Sequence, residues 1–354
     1  MAIDSRRLRK LSVWCPFLLL VASRVSPAVS LSSLSMSAPP GPVAVIGTTG
    51  RLGRQAVLKL IRADVPVRCL LRKPVDPSLA VPDAIDKDSS GAEVAAHLAS
   101  LPGVTMVGGD VTDTASLDEL LEGCTAVLAL HGPGATKPFW KSLIPFLNSD
   151  EQPTHSKQIN FEGVRKIISA AERSGTVRRI VRVTGKGEDP YGIFSILINM
   201  LGSMAKAWNY EGEQLLRSSK MDYTIVRPGV MGPDNVPTGK VLALGDNGAD
   251  LKVSAVRHED IASLCVDCLD YSNAARSTLT AMNVDPGLGE ETYAPLLKKV
   301  VADSRAFPDN MMEEHRKAAR RGAAILVGFL AIAVKVAVLP FVQFVAGSLG
   351  GLFS

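Results

Sequence analysis

The sequence predicts an α/β fold built on a doubly wound, mostly parallel sheet, and three observations predict it. Strand-length apolar runs alternate with amphipathic helix-length stretches from Val43 to about Val301. A three-glycine loop, Gly47-Thr48-Thr49-Gly50-Arg51-Leu52-Gly53, leaves the first apolar run and enters the first amphipathic stretch. A second strand-like run, Val67 to Leu71, follows directly, which completes a strand–loop–helix–strand unit with a right-handed crossover.

In order, Val43-Ala44-Val45-Ile46 reads as the first strand, and Leu52 to Ala63 as a helix with Leu52, Ala56, Val57, Leu60 and Ile61 on one face. Strand three is Val104 to Val107. A helix carrying Leu117, Leu120 and Leu121 leads to strand four, Ala126 to Leu130. The helix Gln158 to Ser174 shows Phe161, Val164, Ile168 and Ala171 at helical spacing, and the strand Ile180 to Val183 follows. A helix near Met204 to Ser218, a strand Tyr223 to Val226 and a helix Ile261 to Leu269 complete the pattern. Pro74 to Pro102 and His131 to His155 look like inserted loops with short helices.

The glycine loop reads as a phosphate cradle of Rossmann-like type. Gly47 suits the tight turn, Gly50 the close approach of backbone to pyrophosphate, and Gly53 the packing of helix on sheet. Helix-start amides and the positive dipole end would face the diphosphate. An acidic residue ending strand two would bond a ribose diol, but here the strand ends in Leu71-Arg72-Lys73, and Arg51 adds a third cation. Guanidinium suits phosphate oxygens, so these cations predict NADP(H) over NAD(H); the plain alternative is a solvated basic loop.

The composition, 46% hydrophobic and 21% charged, is globular with apolar additions at both ends. Residues 1–41 read as a leader: Arg6, Arg7, Arg9 and Lys10 precede the apolar Leu11 to Ala22, a small-residue site lies near Ala28-Val29-Ser30, and a Ser-rich stretch follows. No Asp or Glu occurs from Ser5 through Ala63. The first part resembles a secretory signal peptide and the two-part arrangement resembles the signal-plus-transit leaders of plastid proteins, which implies a plastid destination; a plain signal peptide or signal anchor, and with it the secretory pathway, is the alternative. Removing residues 1–30, with five basic and one acidic side chain, leaves 34 of each sign, so nothing in the charge balance points to nucleic acid. After the dinucleotide domain, 42–301, come a charged linker, 302–321, and a hydrophobic segment, 322–354, long enough to span a bilayer. Lys335 and Pro340 count against a clean span, and a docked or oligomerising helix is the alternative.

Four stretches together resemble one family: the glycine loop, Gly109-Asp110-Val111-Thr112-Asp113, Tyr223 through Arg227-Pro228-Gly229, and Arg257-His258-Glu259-Asp260-Ile261-Ala262. They look like the atypical, NmrA-like, NAD(P)H-binding short-chain dehydrogenase/reductases, over roughly Pro42 to Val301. The resemblance implies that Asp110 contacts the adenine ring, with Val111 beside it among the cofactor-binding residues, that Leu130-His131-Gly132 pass beside the cofactor, and that Pro228 and Gly229 border the nicotinamide. Thr184 matches the position of a catalytic Ser or Thr.

Reducing members of that family pair a Tyr with a Lys four residues later, the Lys lowering the phenol pKa for proton donation. Here those positions fall on Ala205 and Asn209, so the pair is out of register. Tyr210 and, after Thr184, Tyr191 are the remaining candidate proton donors, each with a structural alternative. Cys265 and Cys268 form a C-x-x-C inside a helix without a second pair, which favours core thiols over a metal site, and no metal is called for. The run Ile193 to Leu201 suits an apolar pocket roof, a membrane or partner contact, or plain core. Two functions stay in view: an NADP(H)-dependent reductase of an apolar carbonyl or conjugated substrate, and a non-enzymatic dinucleotide sensor or assembly factor at a plastid membrane, with a protein partner.

Overall fold

The computed structural model describes residues 41–133, 150–232, 236 and 239–338. The leader, most of the second insertion and residues 339–354 lie outside the described residues.

The elements run in chain order as β1 (Val43–Ile46), α1 (Arg51–Arg62), β2 (Val67–Leu71), α2 (Gly91–Ser100), β3 (Val104–Gly108), α3 (Thr114–Leu121) and β4 (Ala126–Ala129). A π turn, Gln158–Glu162, enters α4 (Gly163–Ser174); β5 (Arg179–Val183), α5 (Ile193–Leu201), α6 (Ala205–Ser218) and β6 (Asp222–Pro228) follow. Then come β7 (Val230–Met231), β8 (Val241–Gly245), β9 (Ala255–Val256), α7 (His258–Asp267), β10 (Ser277–Val284), α8 (Ala294–Leu297) and α9 (Met311–Ala333).

Eight strands form one sheet in the order β3-β2-β1-β4-β5-β6-β10-β8, parallel except for β8, which runs antiparallel to β10. Reversal of strand order beside β1 creates the switch point where such folds bind nucleotides. Two helix layers cover the sheet, and β1 shows why. Val43 and Val45 point into a core shared with Ala56 and Leu60 of α1 and Leu264 and Cys265 of α7. Ala44 and Ile46 point the other way, against Leu117 of α3, Ile167 of α4 and Leu216 of α6. A strand buried on both faces reads as a continuous apolar run, which is how β1 reads in the sequence. Burial of each full-sized aliphatic side chain contributes about 1.5–3 kcal/mol.

Most expected elements lie within two or three residues of the predicted bounds; the differences have physical causes. The predicted strands stop short of β10, whose Ser277, Thr278 and Thr280 are buried polar residues in an alternating run. Thr278 draws its partner from afar, Asp303 accepting from its amide at 2.8 Å and from its hydroxyl at 2.7 Å, while the Ser277 hydroxyl donates to the nearby Ala274 carbonyl at 2.6 Å. The first insertion holds α2, capped by Ser90 and Glu93 bonding each other's backbone amides. Cys265 and Cys268 are fully buried free thiols packed in the α1/α7 core.

The charged stretch expected as a linker is structured. Phe307 lies between the guanidinium groups of Arg217 and Arg305, 3.7 and 3.9 Å from its ring centre, and α9 begins at Met311. Among the described residues, no helix is long and apolar enough to cross a membrane. The first turns of α9 carry Glu313, Glu314, Arg316, Lys317, Arg320 and Arg321, leaving too short an apolar part before Lys335. The rest of the expected segment, 339–354, falls outside the described residues.

Candidate dinucleotide site

A cleft of about 990 Å³ opens at the carboxyl ends of β1, β2 and β4, where Ile46, Leu71 and Leu130 end or follow their strands. Its floor is the glycine loop. Gly47 has φ +90°, and a Cβ there would come within 2.8 Å of the His131 amide nitrogen. Only glycine fits that turn against the β4 loop. The Gly50 amide donates to the Gly47 carbonyl at 3.0 Å, closing the turn, and Gly50 precedes α1 without any side-chain cap. The first amides of α1 therefore have no side chain competing for them at Gly50.

Gly53 corrects one expectation. A Cβ at Gly53 would lie 2.1 Å from the Gly47 carbonyl oxygen, so this glycine lets the helix pack on its own loop rather than on the sheet. Thr48 is buried and donates to the Val45 carbonyl at 3.0 Å, pinning the loop to β1. Thr49 lines the cleft opposite Gly91 at the start of α2. Arg51 is exposed and Leu52 buried at the start of α1, and neither lines the cleft.

Arg54 escaped sequence reasoning. It is buried, and its guanidinium donates to the carbonyls of Thr49 at 3.0 Å, Ser89 at 3.3 Å and Asp86. One side chain thus fastens the first insertion to the glycine loop. The only sequence signal was a cation on the apolar side of an amphipathic helix, which no local pattern explains.

The exposed side chains of Arg72 and Lys73 stand at the cleft edge beyond β2, beside Asp76. Asp76 is occupied by the Ser78 amide and hydroxyl at 2.9 and 2.6 Å. Asp110 also lines the cleft, its Oδ1 accepting from the Thr112 amide at 2.9 Å and hydroxyl at 2.7 Å, while Val111 packs buried beneath. His131 and Gly132 form the far wall with Ile159. The His131 Nε2 bonds the Ile159 carbonyl at 3.3 Å, and burial, aided by the nearby Arg182 cation, holds its pKa well below the usual imidazole value. It is a neutral side chain at physiological pH.

Beyond this cleft, the candidate catalytic groups have protein partners. The Thr184 hydroxyl donates to Glu213 Oε1 at 2.6 Å. Glu213 is fully buried and is held by Arg227 Nε at 3.0 Å and Arg217 at 2.7 Å. Burial alone would raise its pKa, but the Arg227 and Arg217 charges and the Thr184 hydroxyl outweigh that and leave it lowered. Arg227 also pairs with Glu188 at 2.6 Å. The Tyr210 hydroxyl donates to the Pro308 carbonyl at 2.8 Å; the residue is 1% exposed, and burial raises its pKa further above the ordinary phenol value. Tyr191 is half-exposed and donates to Glu314 at 2.8 Å. Asn209 accepts from Arg182 at 3.1 Å. Arg182 also donates to Asn160 at 3.1 Å and to the carbonyls of Ala129 and His131 at 3.0 and 2.6 Å. Burial lowers its pKa to about 10, so it stays a cation. Pro228 and Gly229 end β6 away from the cleft walls, with Gly229 pressed against the Ser254 carbonyl.

A strand-order switch point, a glycine turn too tight for any side chain and a cleft at the strand ends define a dinucleotide-binding α/β protein. The chain belongs to the NAD(P)H-binding family, whose model matches residues 47–272. It is 28% identical over 153 residues to dihydroflavonol 4-reductase of Hordeum vulgare, covering 42% of this chain and 35% of that one. It is 24% identical over 243 residues to the photosystem II assembly factor Ycf39 of Synechocystis, covering 67% and 60%. The matched stretch therefore spans less than two thirds of either relative. A short-chain dehydrogenase/reductase from Veillonella parvula, solved in complex with NADP, shares the fold at a TM-score of 0.50 with 14% identity, over 72% of this chain and 99% of that one.

Proposed function

We propose that this protein binds NADP(H) and works as a non-enzymatic, dinucleotide-responsive assembly or sensing module at a plastid membrane. The observation that carries this reading is the commitment of the candidate proton donors. Thr184 donates to Glu213, Tyr210 to Pro308 and Tyr191 to Glu314, and Asn209, expected at the place of the activating lysine, accepts from Arg182. A general acid must present its proton to substrate before its pKa matters.

Several features support the cofactor half. The loop Gly47 to Gly53 leaves room for a diphosphate, and Arg72 and Lys73 supply cations at the cleft edge where a 2′-phosphate would be met. The Veillonella protein's NADP is in keeping with that choice. The leader composition and the likeness to a photosystem II assembly factor support the plastid, and the apolar C-terminal segment supports membrane association. Occupancy signals only if the oxidised and reduced cofactors differ in affinity for two states of the protein.

A second reading, reduction of an apolar carbonyl or conjugated substrate, is favoured by Thr184 at the carboxyl end of β5 and by the likeness to a dihydroflavonol 4-reductase. One experiment separates the two. Calorimetry with NADPH and NADH, followed by NADPH oxidation over a panel of hydrophobic carbonyls, is expected to give saturable NADPH binding without turnover. Steady oxidation would establish the reductase, and absence of binding would remove both.

A further inference from the structure

Helix α5 is built inside out. Its buried side chains are the polar Ser195 and Asn199, one turn apart, while Ile193 and Phe194 are each 76% exposed and Leu197, Ile198 and Leu201 about half exposed. A surface helix in water normally shows the reverse. The orientation is locked from within. Ser195 accepts from the Lys206 ammonium, Asn199 Oδ1 accepts from the amides of Lys206 and Ala207 at 3.1 and 3.3 Å, and Asn199 Nδ2 donates to His315 at 2.9 Å. Rolling the helix to hide its apolar face would strand these buried polar groups.

The third face of α5 meets α9. A Cβ on Gly322 would lie 2.4 Å from Ile196 and 3.1 Å from the Met200 sulfur, so the helices touch there at close range. Past that contact α9 presents Ile325, Leu326, Phe329, Leu330 and Ile332 to the outside, extending the apolar surface. Its border is basic. Arg316, Arg320 and Arg321 are exposed in the preceding turns with Lys317, which pairs with Glu313 and Glu314 at 3.0 Å, and Arg321 lies over the half-exposed Tyr191 ring at 5.7 Å from its centre. From Arg316 to Ser354 the sequence carries five cations and no carboxylate side chain, and none occurs from Pro190 to Tyr210.

We infer that α5 and the apolar half of α9 form one platform that lies in the interfacial layer of an anionic bilayer, with the basic collar on the headgroups. Apolar residues on one side, cations at the border and a tyrosine between them match the gradient of such an interface. A second copy of this chain would bring the like-charged collars together, whereas anionic headgroups neutralise them. The inference deepens the membrane reading above, which rests on the C-terminal segment alone, by adding an element of the folded domain.

The test places an environment-sensitive fluorophore on the full chain at Phe194→Cys or at Phe329→Cys, each with Cys15→Ser, the other cysteines being buried. Vesicles of phosphatidylcholine with phosphatidylglycerol are compared with phosphatidylcholine alone, using spin-labelled lipid as quencher. Both labels are expected to be quenched severalfold more on the anionic vesicles than on the neutral ones. Quenching at 329 without quenching at 194 overturns the role of α5 and leaves the membrane reading standing. Quenching at neither removes both readings, and equal quenching on neutral vesicles overturns the anionic choice. A label at 194 already shielded without vesicles, in a chain that sediments as a dimer, assigns the face to a second copy and overturns the inference.

Discussion

Asn199 and His315, 116 residues apart in sequence, are bonded side chain to side chain at 2.9 Å. His315 Nε2 also donates to the Gly187 carbonyl at 2.7 Å, so its Nδ1 accepts from the Asn199 amide and the ring is neutral. One imidazole thereby ties α9 to α5 and to the loop that follows the Thr184 strand end.

That bond makes the attachment of α9 pH-dependent. Burial, with the Lys206 charge adding to it against the Gly187 bond and Asp189, lowers the His315 pKa from its ordinary 6.5. The unfolded or detached ring therefore takes up a proton at higher pH than the docked one, and stability is present above about pH 6.5 and declines as pH falls below it. Hydrogen-exchange protection of Met311–Ala318 is expected to drop between pH 7 and 5, and His315→Gln is expected to flatten that dependence. Equal slopes in the two proteins would assign the effect elsewhere.

Gly53→Ala places a methyl group within 2.1 Å of the Gly47 carbonyl, where backbone must move. The shift reshapes the cradle, and NADPH affinity is expected to fall at least tenfold while the melting temperature drops by only a few degrees, since overpacking costs about 1–3 kcal/mol. Calorimetry and a thermal melt on the same sample check both halves.

Arg72→Asp puts a carboxylate at the cleft edge where a ribose diol would be bonded and a 2′-phosphate repelled. The ratio of NADPH to NADH affinity is expected to fall tenfold or more. An unchanged ratio would mean that Arg72 is a solvated loop cation.

Glu213→Ala leaves Arg227 buried without its closest anion and Thr184 without its acceptor. Removing one partner of a buried pair costs about 3–5 kcal/mol, so urea unfolding is expected to shift by that order. Glu188, still paired with Arg227 at 2.6 Å, sets the lower end of the range.

Tyr210→Phe removes a bond to the Pro308 carbonyl and is expected to cost about 0.5–1.5 kcal/mol. NADPH binding, and any slow oxidation of NADPH, is expected to stay at the wild-type level. A hundredfold loss of turnover with unchanged stability would instead make Tyr210 a proton donor.

Local pattern determined much of this protein. The buried run of β1, the glycine spacing of the loop and the 3.6-residue periodicity of α1 and α4 are short-range signals, because strand burial and helix amphipathicity are written in neighbouring residues. The cleft's glycines and the cations after β2 were legible for the same reason. Tertiary structure decided what depended on partners far along the chain: Arg54 fastening the first insertion, Asp303 satisfying Thr278 of β10, and Glu213 and Pro308 accepting the hydroxyl hydrogen bonds of Thr184 and Tyr210. It also decided which way α5 faces. An apolar run announces burial, and only the bonds of Ser195 and Asn199 to Lys206 and His315 turn it outward, since a buried polar group must find its partner wherever the fold puts one.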